Sequence, residues 1–325
     1  MDHYDNLTVL ICTWNRAPLL RETLDSLARV SVPDGLSWEV LVVDNNSTDD
    51  TASVVQERSQ TFPVSLRYIF EARQGKSAAM NTGIRESHHP LIAFADDDVK
   101  VSPGWLVAVA TGFREHPDAA YLGGSVAPIW EAPCPQWFAN TGKTLWGTLA
   151  ILDYGEEPFV FEEQHKIPIG ANFAVRRATI DRAGGFDPAL GRNCNQVLLG
   201  QELPEFFARV RLAGLHGWYI PAMSVQHHVP ARRLTPDYIR RWWYGKGISR
   251  ARMEALHPVT ELGLDLRRVP TIAGIPRFLF GSAARDAIRW ATAWTRGDVG
   301  SRVAAETQLY YFGGQVRERL RRLAR

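Results

Sequence analysis

The chain has 325 residues, of which 45% are hydrophobic and 22% charged, an ordinary composition for one large globular α/β domain with an appendage. Its three cysteines, Cys12, Cys134 and Cys194, are widely spaced and form no CxxC pair, which argues against a disulfide framework and favours a reducing, cytoplasmic compartment. The first five residues are polar and no apolar run approaches about 18 residues, so neither a signal peptide nor a spanning helix is expected.

The net charge of +2 hides an asymmetry along the chain. Residues 229–325 hold 19 Lys and Arg against 8 Asp and Glu, whereas residues 1–228 hold 18 against 27. A basic C-terminal portion suits acidic lipid headgroups. No zinc finger, RNP signature or recognition-helix pattern accompanies it, so we do not expect nucleic acid as a partner.

Strands and helices alternate through the first 120 residues or so. Short apolar runs rich in β-formers predict buried strands, and helical spacing of apolar residues predicts helices. The predicted strands are 7–13, 38–43, 64–70 and 91–95, and the predicted helices are 17–30 and 76–86. Such alternation predicts a parallel sheet with helices on both faces, which binds ligands at the carboxyl ends of its strands.

Polar clusters stand at these strand ends, and the acidic triplet 96–98 is the strongest of them. Three adjacent carboxylates repel one another unless a cation lies among them, and Asp96 and Asp98 alternate along an extended segment. Oxygen ligands suit Mg²⁺ or Mn²⁺, which would neutralise a departing diphosphate. The alternative is an acidic turn that caps the helix beginning near Ser102.

Two further clusters suggest nucleotide contacts. Asp44 ends the second strand, where a carboxylate can accept hydrogen bonds from a ribose or a base; the alternative is an Asx-turn or a helix cap. Arg73 and Lys76 precede a helix N-terminus, which attracts phosphate, although the P-loop spacing is absent. The alternative there is a solvated helix start.

The order of these motifs resembles the family 2 glycosyltransferases. The matching pieces are TWNR at 13–16, DNNSTD at 44–49, QGKSAAMNTG at 74–83, FADDDV at 94–99, GGSVAP at 123–128, GANFAVRR at 170–177, GGFDPALG at 184–191 and GQELPEFFARVRLAG at 200–214. The resemblance spans roughly residues 7–230. It implies a GT-A fold, a Rossmann-like mixed sheet flanked by helices, with a nucleoside-diphosphate sugar donor, a divalent metal (Mn²⁺ or Mg²⁺) and inversion at the anomeric carbon.

The resemblance also implies residue roles. The metal ligands would be Asp96, Asp98 and His227. The nucleotide-sugar contacts would be Thr13, Asn15, Arg16, Asp44, Asn45, Lys76, Asn81, Asp96 and Asp97. Gly170, Ala171 and Asn172 would lie on the sugar or acceptor side. His227 is expected just after a strand, and the alternative for the pair His227-His228 is a structural or solvent-facing role.

The expected catalytic base departs from the family pattern. The family usually has Glu-Asp at the start of the helix near residue 202, and Leu203 takes the place of that Asp. Our candidate base is Glu202, because an inverting displacement needs a carboxylate beside the acceptor hydroxyl. Alternatively, Glu202 and Glu205 only stabilise the helix N-terminus. Asp187 is a weaker candidate, since its sequence context resembles a turn.

The chain is expected to divide into a GT-A domain at 1–230 and a basic helical extension at 231–325. Helical spacing places apolar residues of 280–294 on one face of a helix and arginines elsewhere on it, and Trp242 and Trp243 stand beside Arg240 and Arg241. Both patterns suit an anionic membrane surface, hence a peripheral location at its inner face. The alternative is a helical subdomain that packs on the core or on a second subunit.

The sequence therefore predicts an inverting, metal-dependent transferase that moves a sugar to a hydroxyl of a glycan or lipid-linked acceptor in polysaccharide, glycolipid or other glycoconjugate synthesis. Two alternatives stay open. One is a nucleotidyltransferase, although no Gly-rich loop follows the first strand. The other is a non-catalytic nucleotide-sugar or glycan-binding protein, which Leu203 in place of the expected Asp keeps open. The absence of GxGxxG after the first strand argues against a dinucleotide-dependent oxidoreductase.

Overall fold

A computed structural model describes residues 5–162, 166–192, 200–259 and 265–324, so Cys194 lies outside the described part. The chain divides into two units. The first contains residues 1–129, 150–189 and 202–228, and the second contains residues 130–149, 190–201 and 229–325. The expected division at residue 230 did not assign segments 130–149 and 190–201 to the second unit. Segment 130–149 is tied to the rest of the second unit by a hydrogen bond from Trp243 Nε1 to Thr148 Oγ1 at 3.1 Å.

The elements follow one another in this order. Up to residue 130 they are β1 Leu7–Thr13, α1 Ala17–Leu27, β2 Trp38–Asp44, α2 Thr51–Ser59, β3 Leu66–Phe70, α3 Lys76–Glu86, β4 Leu91–Asp96, β5 Val99–Val101, α4 Trp105–Glu115, β6 Tyr121–Gly123 and β7 Val126–Trp130. Thereafter they are α5 Gln136–Ala139, β8 Phe159–Val160, β9 Asn172–Arg176, α6 Arg177–Ala183, α7 Glu202–Leu212, β10 Gly217–Tyr219, β11 Val225–Val229, α8 Pro236–Leu256, β12 Thr271–Ile272, β13 Ile275–Pro276, α9 Arg277–Thr295 and α10 Val299–Leu323.

The first unit is built on a mixed eight-stranded sheet with the order β3-β2-β1-β4-β9-β6-β10-β8. Strands β1 to β4 are parallel, as their alternation with helices predicted. Strand β9 runs antiparallel between β4 and β6 and makes the sheet mixed. The resemblance implied this mixed sheet, and the parallel neighbours place the ends of β1, β2 and β4 at one edge.

Both faces of the sheet are covered, because successive side chains of a strand point to opposite sides. In β1, Leu7, Val9 and Ile11 join a core with α1, α2 and α4. Leu10 points the other way and joins a core with α3 and α7. Strands buried on both faces explain why the sequence shows continuous apolar runs without alternation.

A smaller sheet has the order β5-β11-β7. It gives His227 a position that differs from the expected one. His227 does not follow a strand but lies within β11, because β11 pairs antiparallel with β5 and sets His227 opposite Val99. This register holds His227 beside the acidic triplet that ends at Asp98.

The second unit contains the three long helices α8, α9 and α10. Glycines let α8 and α10 approach closely: a Cβ on Gly247 would lie 2.1 Å from the Tyr311 carbonyl oxygen, and one on Gly314 2.2 Å from that of Tyr244. Glu254 of α8 pairs with Arg319 of α10 at 2.5 Å. Among the described residues, no helix is long and apolar enough to cross a membrane.

Candidate active site

The loops after β1 and β4 meet through charged hydrogen bonds. Thr13 Oγ1 donates to Asp97 Oδ2 at 2.8 Å. Arg16 Nη1 donates to Asp97 Oδ1 at 2.8 Å and to Asp98 Oδ2 at 2.7 Å. The fold therefore brings Thr13 and Arg16 together with Asp97 and Asp98, more than 80 residues further along the chain, at the predicted edge of the sheet.

Burial shapes the charges of this cluster. Asp97 and Asp98 are both buried. Burial raises the pKa of Asp97 to about 6, although Arg16 acts in the opposite direction. The Asp97 carboxylate in turn raises the pKa of Arg16. The Arg16 guanidinium thus faces two buried carboxylates, an acidic environment that a further cation would stabilise.

Asp98 and His227 form the part of this cluster that suits a metal ion. His227 Nε2 lies 3.5 Å from Asp98 Oδ1, and both side chains are 2% exposed. The backbone N–H of His228 donates to the Asp98 carbonyl at 2.8 Å, which fixes the loop against β11. Carboxylate oxygen and imidazole nitrogen are donors that Mn²⁺ accepts. Within the described ranges, however, no group of three or more His, Cys, Asp and Glu side chains is gathered as a metal site.

Asp96 has a different partner from Asp98. Lys76 Nζ, at the start of α3, lies 2.5 Å from Asp96 Oδ1. A Cβ on Gly170 would lie 2.8 Å from Leu203 Cδ1 and 3.4 Å from Lys76 Nζ. The end of β4, the start of α3, the segment before β9 and the start of α7 therefore meet at this point.

On the nucleoside side, Asp44 is buried at the end of β2. Its Oδ1 accepts from the Ser47 N–H at 2.9 Å, and its Oδ2 accepts from the Tyr68 hydroxyl at 2.8 Å. The bond from the Ser47 N–H forms a turn of the kind given above as the alternative role of Asp44. Desolvation and the bond to Asp44 raise the pKa of Tyr68 to about 12. The hydroxyl therefore stays protonated and holds the Asp44 carboxylate in place.

Asn15 and Asn45 tie the loops around Asp44 together. Asn15 Oδ1 accepts from the Thr48 N–H at 2.7 Å, and Asn15 has φ 52°, a left-handed conformation that Asn tolerates. Asn45 Oδ1 accepts from the Gly75 N–H at 2.7 Å, and Asn45 Nδ2 donates to the Arg73 carbonyl at 2.7 Å. Both side chains stabilise the loops through hydrogen bonds to backbone groups. Their contacts with a nucleotide stay predictions.

Asn81 and Asn172 also make internal bonds. Asn81 bonds both the N–H and the carbonyl of Phe186, each at 2.8 Å. Asn172 is fully buried beside Ala171; its Oδ1 accepts from Trp105 Nε1 at 2.9 Å and its Nδ2 donates to the Met223 carbonyl at 2.6 Å. These bonds give the two amides positioning roles, and their predicted contacts with the sugar stay predictions.

Glu202 and Asp187 were the candidates for the base, and Asp187 makes a structural bond, as does Glu205, the other carboxylate at the start of α7. Glu205 pairs with Arg209 at 2.7 Å, and Arg209 Nη2 donates to the Gly185 carbonyl at 2.6 Å. Asp187 Oδ1 accepts from the Ala189 N–H at 2.8 Å, the turn that its sequence suggested. Glu202 is the buried first residue of α7, next to Leu203 at the junction with Lys76.

This geometry agrees with a comparison of sequences. Residues 8–183 match the profile described as glycosyl transferase family 2. The chain belongs to this family. The predicted family is thereby confirmed, and the glycosyltransferase function replaces the nucleotidyltransferase and binding-protein alternatives.

Individual family 2 relatives cover most of the chain. A glucosyl-dolichyl phosphate glucuronosyltransferase of Haloferax volcanii is 26% identical over 257 residues, 78% of each chain. The succinoglycan biosynthesis protein ExoM of Rhizobium meliloti is 26% identical over 251 residues, 77% of this chain and 75% of its own. A mannosyltransferase of Pyrobaculum calidifontis, solved with GDP-mannose and Mn²⁺, superimposes with a TM-score of 0.61 at 19% identity, covering 97% of this chain and 87% of its own. This likeness confirms the GT-A fold.

Sequence reasoning missed two groups in this family 2 site. Tyr68 carries no motif signal beyond being an aromatic residue in an edge strand. Glu71 is buried, accepts from the Arg73 N–H at 2.8 Å and bonds Thr82 Oγ1. Glu71 holds the loop that leads to Lys76. No sequence motif marks this role, because Glu71 lies in the connection between β3 and α3.

Because of Glu71, the free energy of unfolding should depend on pH. Hydrogen bonds from Arg73 and Thr82 lower the pKa of Glu71 from 4.5 to about 2. A carboxylate whose pKa is lower in the folded than in the unfolded chain stabilises the fold at pH values above its unfolded pKa. This contribution is lost as the pH falls from about 4.5 toward 2. We expect Glu71→Gln to lower the free energy of unfolding by about 1–2 kcal/mol at pH 7, since exposed Arg73 is partly screened.

Urea unfolding of both proteins at pH 7 and at the lowest pH where they fold measures this effect. The difference between them should shrink in acid. A difference that is constant with pH would show that the Glu71 carboxylate is not what stabilises the loop.

Proposed function

We propose that the chain transfers a sugar, with inversion, from a nucleoside-diphosphate sugar to a hydroxyl of a glycan or lipid-linked acceptor. The observation that carries this proposal is the cluster in which Arg16, Asp97, Asp98 and His227 meet at the carboxyl edge of the sheet. Family 2 membership and a solved mannosyltransferase of the same fold, bound to GDP-mannose and Mn²⁺, support it.

Asp98 and His227 would hold a divalent metal, with Asp96 as the further ligand. The carboxylate and imidazole donors fit Mn²⁺ or Mg²⁺, and the two buried carboxylates Asp97 and Asp98 both bind the guanidinium of Arg16. When bound, the metal supplies positive charge against the departing diphosphate.

The nucleotide would lie along the ends of β1 and β2. Asp44, held by Tyr68, offers its carboxylate to the ribose or base, and Asn45, Thr13, Asn15 and Arg16 line the same loops. Lys76 at the α3 N-terminus adds positive charge where the diphosphate would end.

Glu202 would act as the general base. Its carboxylate takes the proton of the acceptor hydroxyl, whose oxygen bonds to the anomeric carbon from the face opposite the leaving group. The bond from the anomeric carbon to the diphosphate oxygen breaks at the same time, and its electron pair leaves with the nucleoside diphosphate. The attack from the opposite face inverts the anomeric configuration.

The names of two relatives support a proposal for the acceptor class. One is named for a dolichyl-phosphate-linked glucose and another for succinoglycan biosynthesis. We therefore propose that this chain acts in the synthesis of a lipid-linked or cell-envelope glycan, at the cytoplasmic face of a membrane.

Thermal shift with a panel of nucleoside diphosphates and nucleotide sugars, with and without Mn²⁺, tests the donor site. A ligand that binds the native state adds about 2.7 kcal/mol to the free energy of unfolding at a hundred times its Kd. This added stability raises the melting temperature. We expect a shift with one base, larger with Mn²⁺. No shift with any nucleotide at millimolar concentration would refute the donor assignment.

A further inference from the structure

Helix α9 presents an apolar stripe to solvent. At about 100° per residue its members fall within an arc of roughly 120°. They are Phe280, Ala284, Ala287, Ile288, Ala291 and Trp294, and are called here the α9 stripe. Ile288 and Trp294 are 68% and 62% exposed, and the three alanines are exposed as well. The periodicity predicted an apolar face, and the structure leaves that face uncovered.

The opposite side of α9 anchors the helix within its unit. Asp286 and Ala293 are the buried residues of α9, all of which is described. Trp290 Nε1 donates to Glu306 Oε1 of α10 at 3.0 Å. The Phe280 ring meets Phe312 of α10 edge-to-face at 5.4 Å, at the border of the stripe. These contacts fix the rotation of α9, so the exposed stripe follows from its packing.

The charges beside the stripe are positive. Arg277, Arg285, Arg289 and Arg296 belong to α9 or follow it directly, and Asp286 is the one carboxylate of the helix. Asp286 is buried and pairs with Arg289 at 3.1 Å. In the part of the chain that the structure describes, no carboxylate forms an ion pair with Arg277 or Arg285. A second copy of the chain would bring the same positive charges, whereas an anionic lipid surface complements them.

We propose that the α9 stripe and its arginines dock on an anionic lipid bilayer. Ile288 and Trp294 enter the interface between headgroups and acyl chains, where Trp is favoured, and Arg277 and Arg285 bind lipid phosphates. The proposal rests on the proposed function, because it names the surface by which this chain meets the membrane that carries a lipid-linked acceptor.

Co-sedimentation of the full chain with phosphatidylcholine vesicles, with and without phosphatidylglycerol, tests the docking. We expect binding that requires phosphatidylglycerol and weakens with added salt. The double variant Ile288→Ser/Trp294→Ser should bind at least about tenfold more weakly, because it removes the largest exposed apolar groups of the stripe. Leu212→Ser is the matched control: Leu212 is 74% exposed in α7, and binding should not change.

Single charge variants test the electrostatic part. Arg285→Gln should weaken binding about fivefold, as expected for one arginine near an anionic surface. Arg29→Gln removes an exposed charge from the first unit and should have no effect. Equal weakening by both variants would show that net charge, and not α9, governs binding.

Three results overturn the proposal. One is wild-type binding by the stripe variant, and another is equal binding to vesicles with and without phosphatidylglycerol. The third is a dimer in light scattering that the stripe variant converts to a monomer, which would show that a second copy covers the stripe. The thermal shift with donor should be the same in the stripe variant and the wild type. A loss of docking alone therefore leaves the proposed function standing, and a missing donor shift in the wild type would count against that function alone.

Discussion

Asp98→Asn is expected to lower sugar transfer by on the order of a thousandfold, about 4 kcal/mol of transition-state stabilisation. The variant keeps the shape of the side chain but removes the charge that Asp98 would offer to a metal together with His227, 3.5 Å away. Arg16 keeps its bond to Asp97 at 2.8 Å, so the loop should keep its conformation.

The readouts separate binding from catalysis. Transfer is measured with saturating donor, and Mn²⁺ binding is measured by calorimetry in the presence of the nucleoside diphosphate. Asp118→Asn is the control, since Asp118 is an exposed carboxylate paired with His216. Near-wild-type turnover, or unchanged Mn²⁺ affinity in a folded Asp98→Asn protein, would remove Asp98 from the metal site.

The parallel half of the sheet could be predicted from the sequence because its strands are long and apolar. Strands β1, β2 and β4 have six or seven residues and are buried on both faces, which gives a continuous signal. Strands β6, β8 and β10 have two or three residues and no periodicity of their own. Their pairing depends on β9, whose antiparallel direction is set by tertiary contacts.

The acidic part of the site could be predicted for a similar reason. Side chains at the ends of neighbouring parallel strands must lie close together, so the order of strands along the chain is enough to group Thr13 and Arg16 with the triplet 96–98. The amides could not be placed in this way. Asn81 bonds Phe186, 105 residues away, and Asn172 accepts from Trp105, 67 residues away, so their partners depend on the complete fold.

The same limit applies to α9. Spacing of apolar residues identifies a face but does not say what covers it. The anchors that decide the question, Trp290 on Glu306 and Phe280 on Phe312, involve residues of a different helix. The two contacts show which side of α9 packs on α10 and which side is exposed, a question that the sequence alone leaves open.

Glu202→Gln is expected to lower kcat by about 10²–10⁴-fold, the usual contribution of a positioned general base. The amide is nearly isosteric but cannot take the acceptor proton. Donor affinity should change little, because Glu202 lies at the start of α7, whereas most of the proposed nucleotide contacts lie at the ends of β1 and β2. The thermal shift with the nucleoside diphosphate should therefore equal that of the wild type.

Glu205→Gln provides the contrast that makes the assignment decisive. Glu205 lies three residues along the same helix and is equally buried, but its carboxylate binds Arg209, which holds the Gly185 carbonyl. Its loss should lower the free energy of unfolding by about 1–3 kcal/mol, because a charge-assisted hydrogen bond is broken, and should leave kcat nearly unchanged. If kcat fell in Glu205→Gln and not in Glu202→Gln, the base would be Glu205, and Leu203 would mark a shift of the catalytic carboxylate by one helical turn.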